Sequence, residues 1–298
     1  MKGFEYLSPA TTPEALRLLG TYRDRARLLA GGTDLLVQME HNEVRPHYVI
    51  DLKRIRELQG IRHSPDGGVT IYSLTRVADL ASMDGLNGSF SILREAAQTI
   101  GSVQIRNRAT IGGNICRAAP SADLVPALMV LGAKIRIISA EHERWVALEE
   151  FFVGPGRTTL QPHELLAEIQ VPPPLLGGVG VYQKLGPRQT MDLATVGVAV
   201  FLQMDSDAAL CCNIRVALAS VAPIPIRARE AERILIGNPL TPPLIAQAAR
   251  QASLEASPIT DVYGPDWYKR QMIEVLTKRA IGIAMARVQG KSRGGNEA

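Results

Sequence analysis

The chain has 298 residues, more than one simple core accommodates, so two or three lobes are expected. Hydrophobic residues make up 46% and charged residues 21%, an ordinary globular balance that leaves only the polar, Gly-rich end, residues 289–298, as an expected flexible tail. The net charge of +4 is scattered, and its one dense run, Tyr22 to Arg27, is interrupted by Asp24, which argues against a nucleic-acid-binding element.

Residues 4–6 read as a short strand. Thr12-Pro13-Glu14-Ala15 reads as an N-cap with Pro at the first helical position, opening a helix through about Leu19. Arg27 to Ala30 is a short apolar strand running into Gly31-Gly32, Asp34 to Met39 a helical turn, and Tyr48 to Leu52 a further strand. Residues 1–55 thus form a small α/β unit. In a second unit, residues 56–173, Val69 to Tyr72 is a strand bounded by Asp66-Gly67-Gly68, and Arg76–Met83 and Ser91–Ile100 are helical. Lys134 to Ile138 alternates polar and apolar like a half-buried strand, and Glu164 to Val171 closes the unit. Pro172-Pro173-Pro174, followed by Gly177-Gly178, is the clearest boundary in the chain. Beyond it, strands are expected at Gly180–Leu185, Thr195–Met204 and Cys211–Ser220. Helices are expected at Ile226–Leu235, Pro243–Ala252 and Trp267–Val288. Strands followed by helices define a smaller α+β domain over residues 177–288.

The three cysteines, Cys116, Cys211 and Cys212, form no CxxC pair and no Cys–His cluster, so the chain lacks the ligands for an iron–sulfur centre or structural zinc of its own. The odd count argues against a disulfide scaffold, and no apolar stretch is long enough to span a bilayer. The N-terminus carries no signal-peptide pattern, so a cytoplasmic location is expected.

Two glycine pairs carry the chemistry: Leu29-Ala30-Gly31-Gly32-Thr33-Asp34-Leu35 and Ala109-Thr110-Ile111-Gly112-Gly113-Asn114-Ile115. Each leaves a strand-like apolar run and is followed by a small polar residue. Glycine permits positive φ and close approach of a ligand, and successive amides in such turns form anion-binding nests. Two nests suit a diphosphate held from two sides. Valine at Gly32 or Gly112 is accordingly expected to abolish binding with less effect on folding. Either pair alone also fits a plain turn, and neither fits GxGxxG opening a βαβ unit or a P-loop.

Together with Gln104 to Arg108, Ala119-Pro120-Ser121-Ala122-Asp123, Phe151 to Thr158 and Tyr182-Gln183-Lys184-Leu185, in that order, the loops resemble the FAD-binding medium subunit of the xanthine dehydrogenase and aerobic carbon monoxide dehydrogenase family, the molybdenum hydroxylases. The resemblance spans nearly the whole chain. It implies a two-part α/β FAD-binding domain of the vanillyl-alcohol-oxidase type followed by a C-terminal α+β domain.

The resemblance also assigns residues. Leu28, Leu29, Ala30, Gly31, Gly32, Thr33, Asp34 and Leu35 would form one wall around the FAD diphosphate, and Ala109, Thr110, Ile111, Gly112, Gly113 and Asn114 the other. Asp123 matches a carboxylate near the ribityl and sugar hydroxyls, although it also fits an N-cap before Leu124-Val125-Pro126-Ala127-Leu128. Lys184 matches a cation near the flavin, where positive charge favours the reduced anionic ring; its alternative is a solvent-facing strand lysine. Ile100 and Leu166 match apolar positions against FAD and equally fit core. Cys116 follows the second loop and fits a buried, inert thiol. The flavin ring carries the redox chemistry, so no protein catalytic residue is implied.

The implied partners are a molybdenum-binding large subunit holding molybdopterin and a small subunit holding 2Fe-2S clusters, assembled as a dimer of heterotrimers. Electrons would pass from the 2Fe-2S partner through FAD to NAD or another acceptor. The cysteine-rich insert of relatives that reduce aromatic acyl-thioesters is not present. The alternative is a stand-alone flavin oxidoreductase acting directly on a small substrate, which requires an acid or base over the flavin. The five histidines (His41, His47, His63, His142 and His163) are dispersed, and none lies in a glycine loop.

Overall fold

Three prolines separate two styles of construction. The computed structural model describes residues 3–83, 88–188 and 191–294. Before the prolines, β1 (Glu5–Leu7), α1 (Thr12–Tyr22), β2 (Ala26–Leu29), α2 (Leu35–Glu40) and β3 (Tyr48–Asp51) form the first unit. Its strands make a parallel sheet in the order β1-β3-β2. Helix α1 is capped one residue earlier than expected. The Glu57 carboxylate takes the Thr12 amide at 2.9 Å, and the Thr11 hydroxyl accepts from the Glu14 amide, so Thr12 lies inside the helix.

The second unit contains β4 (Ile61–His63), β5 (Val69–Tyr72), α3 (Val77–Ala81), α4 (Ser91–Gln98), α5 (Val103–Arg106), α6 (Ile111–Cys116) and α7 (Leu124–Val130). It continues with β6 (Lys134–Ile138), β7 (Glu143–Ala147), β8 (Phe152–Gly154), β9 (Arg157–Thr158) and β10 (Leu165–Val171). Five strands form an antiparallel sheet ordered β4-β5-β10-β6-β7, with β10 at its centre and almost wholly buried. Elements as short as β4, β8, β9, α5 and α6 show no usable period in the sequence.

After the prolines come β11 (Val179–Leu185), β12 (Val196–Met204), β13 (Cys211–Ala219), β14 (Ile226–Arg227), α8 (Arg229–Leu235), α9 (Pro242–Glu255) and α10 (Asp266–Gly294). The helix expected from Ile226 starts three residues later, because Ile226 and Arg227 pair with Leu218 and Ala217 on β13. Helix α10 runs past Val288 to Gly294, so residues 289–294 of the expected tail are helical, and residues 295–298 lie outside the described residues. A single Gly290 costs about 1 kcal/mol and does not stop a helix this long.

The antiparallel sheet β11-β12-β13-β14 is covered on both faces. Val198, Val200 and Leu202 of β12 pack with Ala248, Ile273 and Ile281 of α9 and α10. Ala199 and Phe201, on the opposite face, join Leu93, Leu124 and Leu128 in the core of the preceding unit. Double burial explains the nearly unbroken apolar run of β12. It also fixes β11 against α4 and α7, which positions the site. Among the described residues no helix is long and apolar enough to cross a membrane.

Candidate cofactor site between two glycine loops

The first loop leaves β2 at Leu29, whose carbonyl accepts from the Leu52 amide at 3.0 Å. Leu28 and Leu29 point into different apolar clusters, Ala30 packs beside Leu28, and Leu35 packs beside Leu29. Gly32 has φ 80°, the left-handed region glycine favours. At Gly31 the reason for glycine is space: a Cβ would lie 2.1 Å from the Arg108 carbonyl oxygen and 2.9 Å from the Ala109 Cα. The two loops therefore touch, backbone to backbone. Among the described residues, no protein acceptor takes the amides of Gly31, Gly32, Thr33 and Asp34. Four consecutive unclaimed amides form a donor cluster suited to an anion.

The second segment corrects the expectation of a matching nest. Gly112 and Gly113 lie in the first turn of α6, capped by Thr110, whose hydroxyl accepts from the Gly113 amide at 3.1 Å. The Ile111 amide donates to the Thr75 carbonyl at 3.0 Å, and the Gly112 amide to the Ser73 carbonyl at 2.8 Å. These donors are thus taken by the chain following β5. A Cβ on Gly112 would lie 2.7 Å from both Ser73 Cβ and its carbonyl oxygen, so this glycine makes room for protein. Ile111 is buried in the core. What the segment leaves over is Asn114, whose Oδ1 is buried without a protein partner. Buried polar atoms are normally paired, so an orphan acceptor in this position fits a hydroxyl or N–H of a ligand. A cavity of about 560 Å³ is lined by both segments through Ala30, Arg108 and Thr110, together with Lys53 and Arg76.

A third wall forms where the domains meet. The Asp123 carboxylate accepts from the Tyr182 hydroxyl at 2.6 Å and the Lys184 ammonium at 2.8 Å, and Lys184 also donates to the Thr99 carbonyl at 3.1 Å. Tyr182 and Lys184 lie two residues apart on β11 and so share a face. Burial pushes the Asp123 carboxyl up despite the Lys184 charge, and pushes the Tyr182 hydroxyl well up. The cap role left open for Asp123 is not the one its side chain plays, since it makes no cap hydrogen bond to α7. Nor does Lys184 face solvent: its side chain is 11% exposed. A Cβ on Gly197 would lie 2.8 Å from the Tyr182 hydroxyl, so that glycine keeps the triad's space open. Ile100 follows Thr99 and is half-buried, and Leu166 is buried core on β10.

The residues fit FAD: open amides for the diphosphate, an unpartnered Asn114 carbonyl oxygen for a hydroxyl or N–H of the cofactor, and a paired Asp–Lys at a second end. Burial pushes the Cys116 thiol up to about 12, which makes it inert. Cys211 is buried and Cys212 exposed, as neighbours on a strand should be. Sequence reasoning missed Tyr182 as a site residue, although its spacing from Lys184 carried the signal.

Fold and site define a two-domain FAD-binding protein. The sequence profile of the FAD binding domain in molybdopterin dehydrogenase matches residues 2–174, and that of the CO dehydrogenase flavoprotein C-terminal domain matches residues 181–284. The chain is 36% identical to the carbon monoxide dehydrogenase medium chain of Hydrogenophaga pseudoflava, over 95% of this chain and 98% of the relative. It is 32% identical to a xanthine dehydrogenase FAD-binding subunit of Escherichia coli, over 96% and 97% respectively. The solved carbon monoxide dehydrogenase from Hydrogenophaga pseudoflava superposes with a TM-score of 0.92, covering 96% of this chain and 98% of that one. Quinoline 2-oxidoreductase from Pseudomonas putida matches with a TM-score of 0.89 at 26% identity, covering 97% of this chain and 99% of that one. The chain belongs to the family of flavoprotein subunits of xanthine dehydrogenase and carbon monoxide dehydrogenase type oxidoreductases.

Proposed function

We propose that this chain holds FAD non-covalently and passes electrons from a 2Fe-2S partner subunit to NAD or another acceptor, within a molybdenum hydroxylase. The observation that carries the reading is the backbone contact of Gly31 with Arg108 and Ala109, which brings the two predicted walls together. The Gly31–Asp34 amides donate to the diphosphate, and the Asn114 Oδ1 accepts from a hydroxyl or N–H of the cofactor on the other side. Ala30, Thr110 and the neighbouring apolar residues, with Ile100 and Leu166, shape the walls. Asp123 and Lys184 orient the opposite end, where the resemblance places the sugar hydroxyls and the ring. FAD, when bound, supplies a ring that takes up and releases electrons. The protein binds, orients and shields it.

The FAD-binding domain is of the vanillyl-alcohol-oxidase type in this reading. Relatives named as medium chains support a large and a small partner; in this reading the large one binds molybdenum, the small one carries the iron–sulfur clusters, and the complex is a dimer of heterotrimers. Three cysteines with no CxxC pair and no Cys–His cluster in the sequence support a reading in which the iron–sulfur clusters, like molybdopterin, reside on those partners. They also suit a reducing, cytoplasmic setting.

The test is direct. The purified chain should bind FAD far more tightly than FMN, which lacks the second phosphate, and acid precipitation should release the flavin to the supernatant. Adding the two partner chains should restore substrate-dependent bleaching of the flavin. Flavin kept in the acid pellet, or equal affinity for FMN, would overturn the binding mode.

A further inference from the structure

We infer that Arg117 is a positioning residue for the cofactor's diphosphate: it neutralises the Asp34 carboxylate so that an anionic group can enter the open amide cluster. The inference rests on the proposed reading of Gly31–Asp34 as a diphosphate wall. Asp34 is the last residue of that cluster, and its side chain makes no cap hydrogen bond to α2. A carboxylate there would repel a diphosphate. The Arg117 Nε lies 2.5 Å from an Asp34 carboxylate oxygen, and among the described residues neither group has another salt-bridge partner.

The surrounding chain is shaped to hold this arginine. Helix α6 ends at Cys116, and the next buried residue after Arg117, Ala118, has φ 49°, in the left-handed region that alanine rarely adopts. The Ala118 carbonyl is held by the Gly156 amide at 2.9 Å, from the turn between β8 and β9. Gly156 itself has φ 67°, and a Cβ there would lie 3.4 Å from the Arg117 guanidinium. A strained residue, a glycine turn and a carboxylate thus converge on one side chain half exposed to solvent.

Two roles make opposite forecasts. A mechanical clasp between the loops is lost whichever partner is removed. Charge compensation is lost only with the arginine, because removing the carboxylate also removes the repulsion. FAD affinity of the purified chain, read by quenching of flavin fluorescence, separates them. Arg117→Ala should weaken FAD binding about tenfold, Asp34→Asn should tighten it about threefold, and the double variant should return to within about threefold of wild type. Arg117→Lys keeps the charge and should retain most of the affinity. Melting of the FAD-free variants reports folding separately, and the exposed pair should move it little. An unchanged affinity in Arg117→Ala overturns the inference, as does an Asp34→Asn variant as weak as Arg117→Ala. A wild-type chain that binds no FAD overturns the underlying reading of the loops instead.

Discussion

At Gly31-Gly32 the backbone leaves β2 with its amides facing no protein acceptor and with Gly32 at φ 80°. At Gly112-Gly113 the same dipeptide lies in the first turn of α6, with its amides used by Ser73 and Thr110. The two pairs read alike in sequence, yet glycine serves conformation and open donors in one and space for neighbouring protein in the other. The first pair therefore offers backbone donors for a diphosphate, and the second segment offers a side-chain acceptor, Asn114 Oδ1, for a donor group of the cofactor. The difference also changes what a substitution at each pair would mean.

The largest effect is expected outside both loops and calibrates what a folding defect looks like. Lys184→Met leaves Asp123 buried without its cation, which should cost about 3–5 kcal/mol of stability, and adding Asp123→Asn should recover much of it. Burial raises the folded pKa of Asp123, so its contribution to stability is complete below the unfolded value and is lost as pH rises through the folded one. Asp123→Asn should remove that dependence from a pH series of melting curves. A wild-type loss of stability on acidification that Asp123→Asn abolishes would give the opposite sign and break the argument. The flavin-tuning role suggested for Lys184 is tempered too, since its charge is partnered.

Next comes the contrast between the glycine pairs. Gly112→Val should destabilise the FAD-free chain by about 1–3 kcal/mol, because the side chain enters the Ser73 backbone. This departs from the expectation of abolished binding with less effect on folding, since the folding defect now comes first. Gly32→Ala should cost about 1–2 kcal/mol of stability through its positive φ, with the Leu29 and Leu36 methyls 3.1 Å from the new Cβ giving way, while FAD affinity falls as the donor cluster distorts. Equal melting shifts for the two variants would erase the distinction. The smallest effect sharpens it. Asn114→Ala should leave the melting temperature of the FAD-free chain unchanged and weaken FAD about tenfold, the worth of one hydrogen bond accepted by Oδ1 from a cofactor hydroxyl or N–H. An unaffected affinity would leave the second segment with packing as its only role.

The sequence by itself determined much of this protein. Apolar runs between breakers placed β2, β3, β5 and β11–β13, the alternation of Lys134 to Ile138 placed a half-buried strand, and three prolines marked the domain change. The resemblance to the family's motifs assigned Asp123 and Lys184, and residue types at recognisable spacing picked out both glycine loops. These are local properties, carried by neighbours within a few residues. Tertiary structure alone decided that Gly112 sits in a helix against Ser73 and that Gly31 lies against Arg108. It alone brought Tyr182 and Lys184 to Asp123, and Arg117 to Asp34. Each of those facts depends on which element crosses which, and no period or propensity within a segment encodes the identity of a neighbour that arrives from elsewhere in the chain.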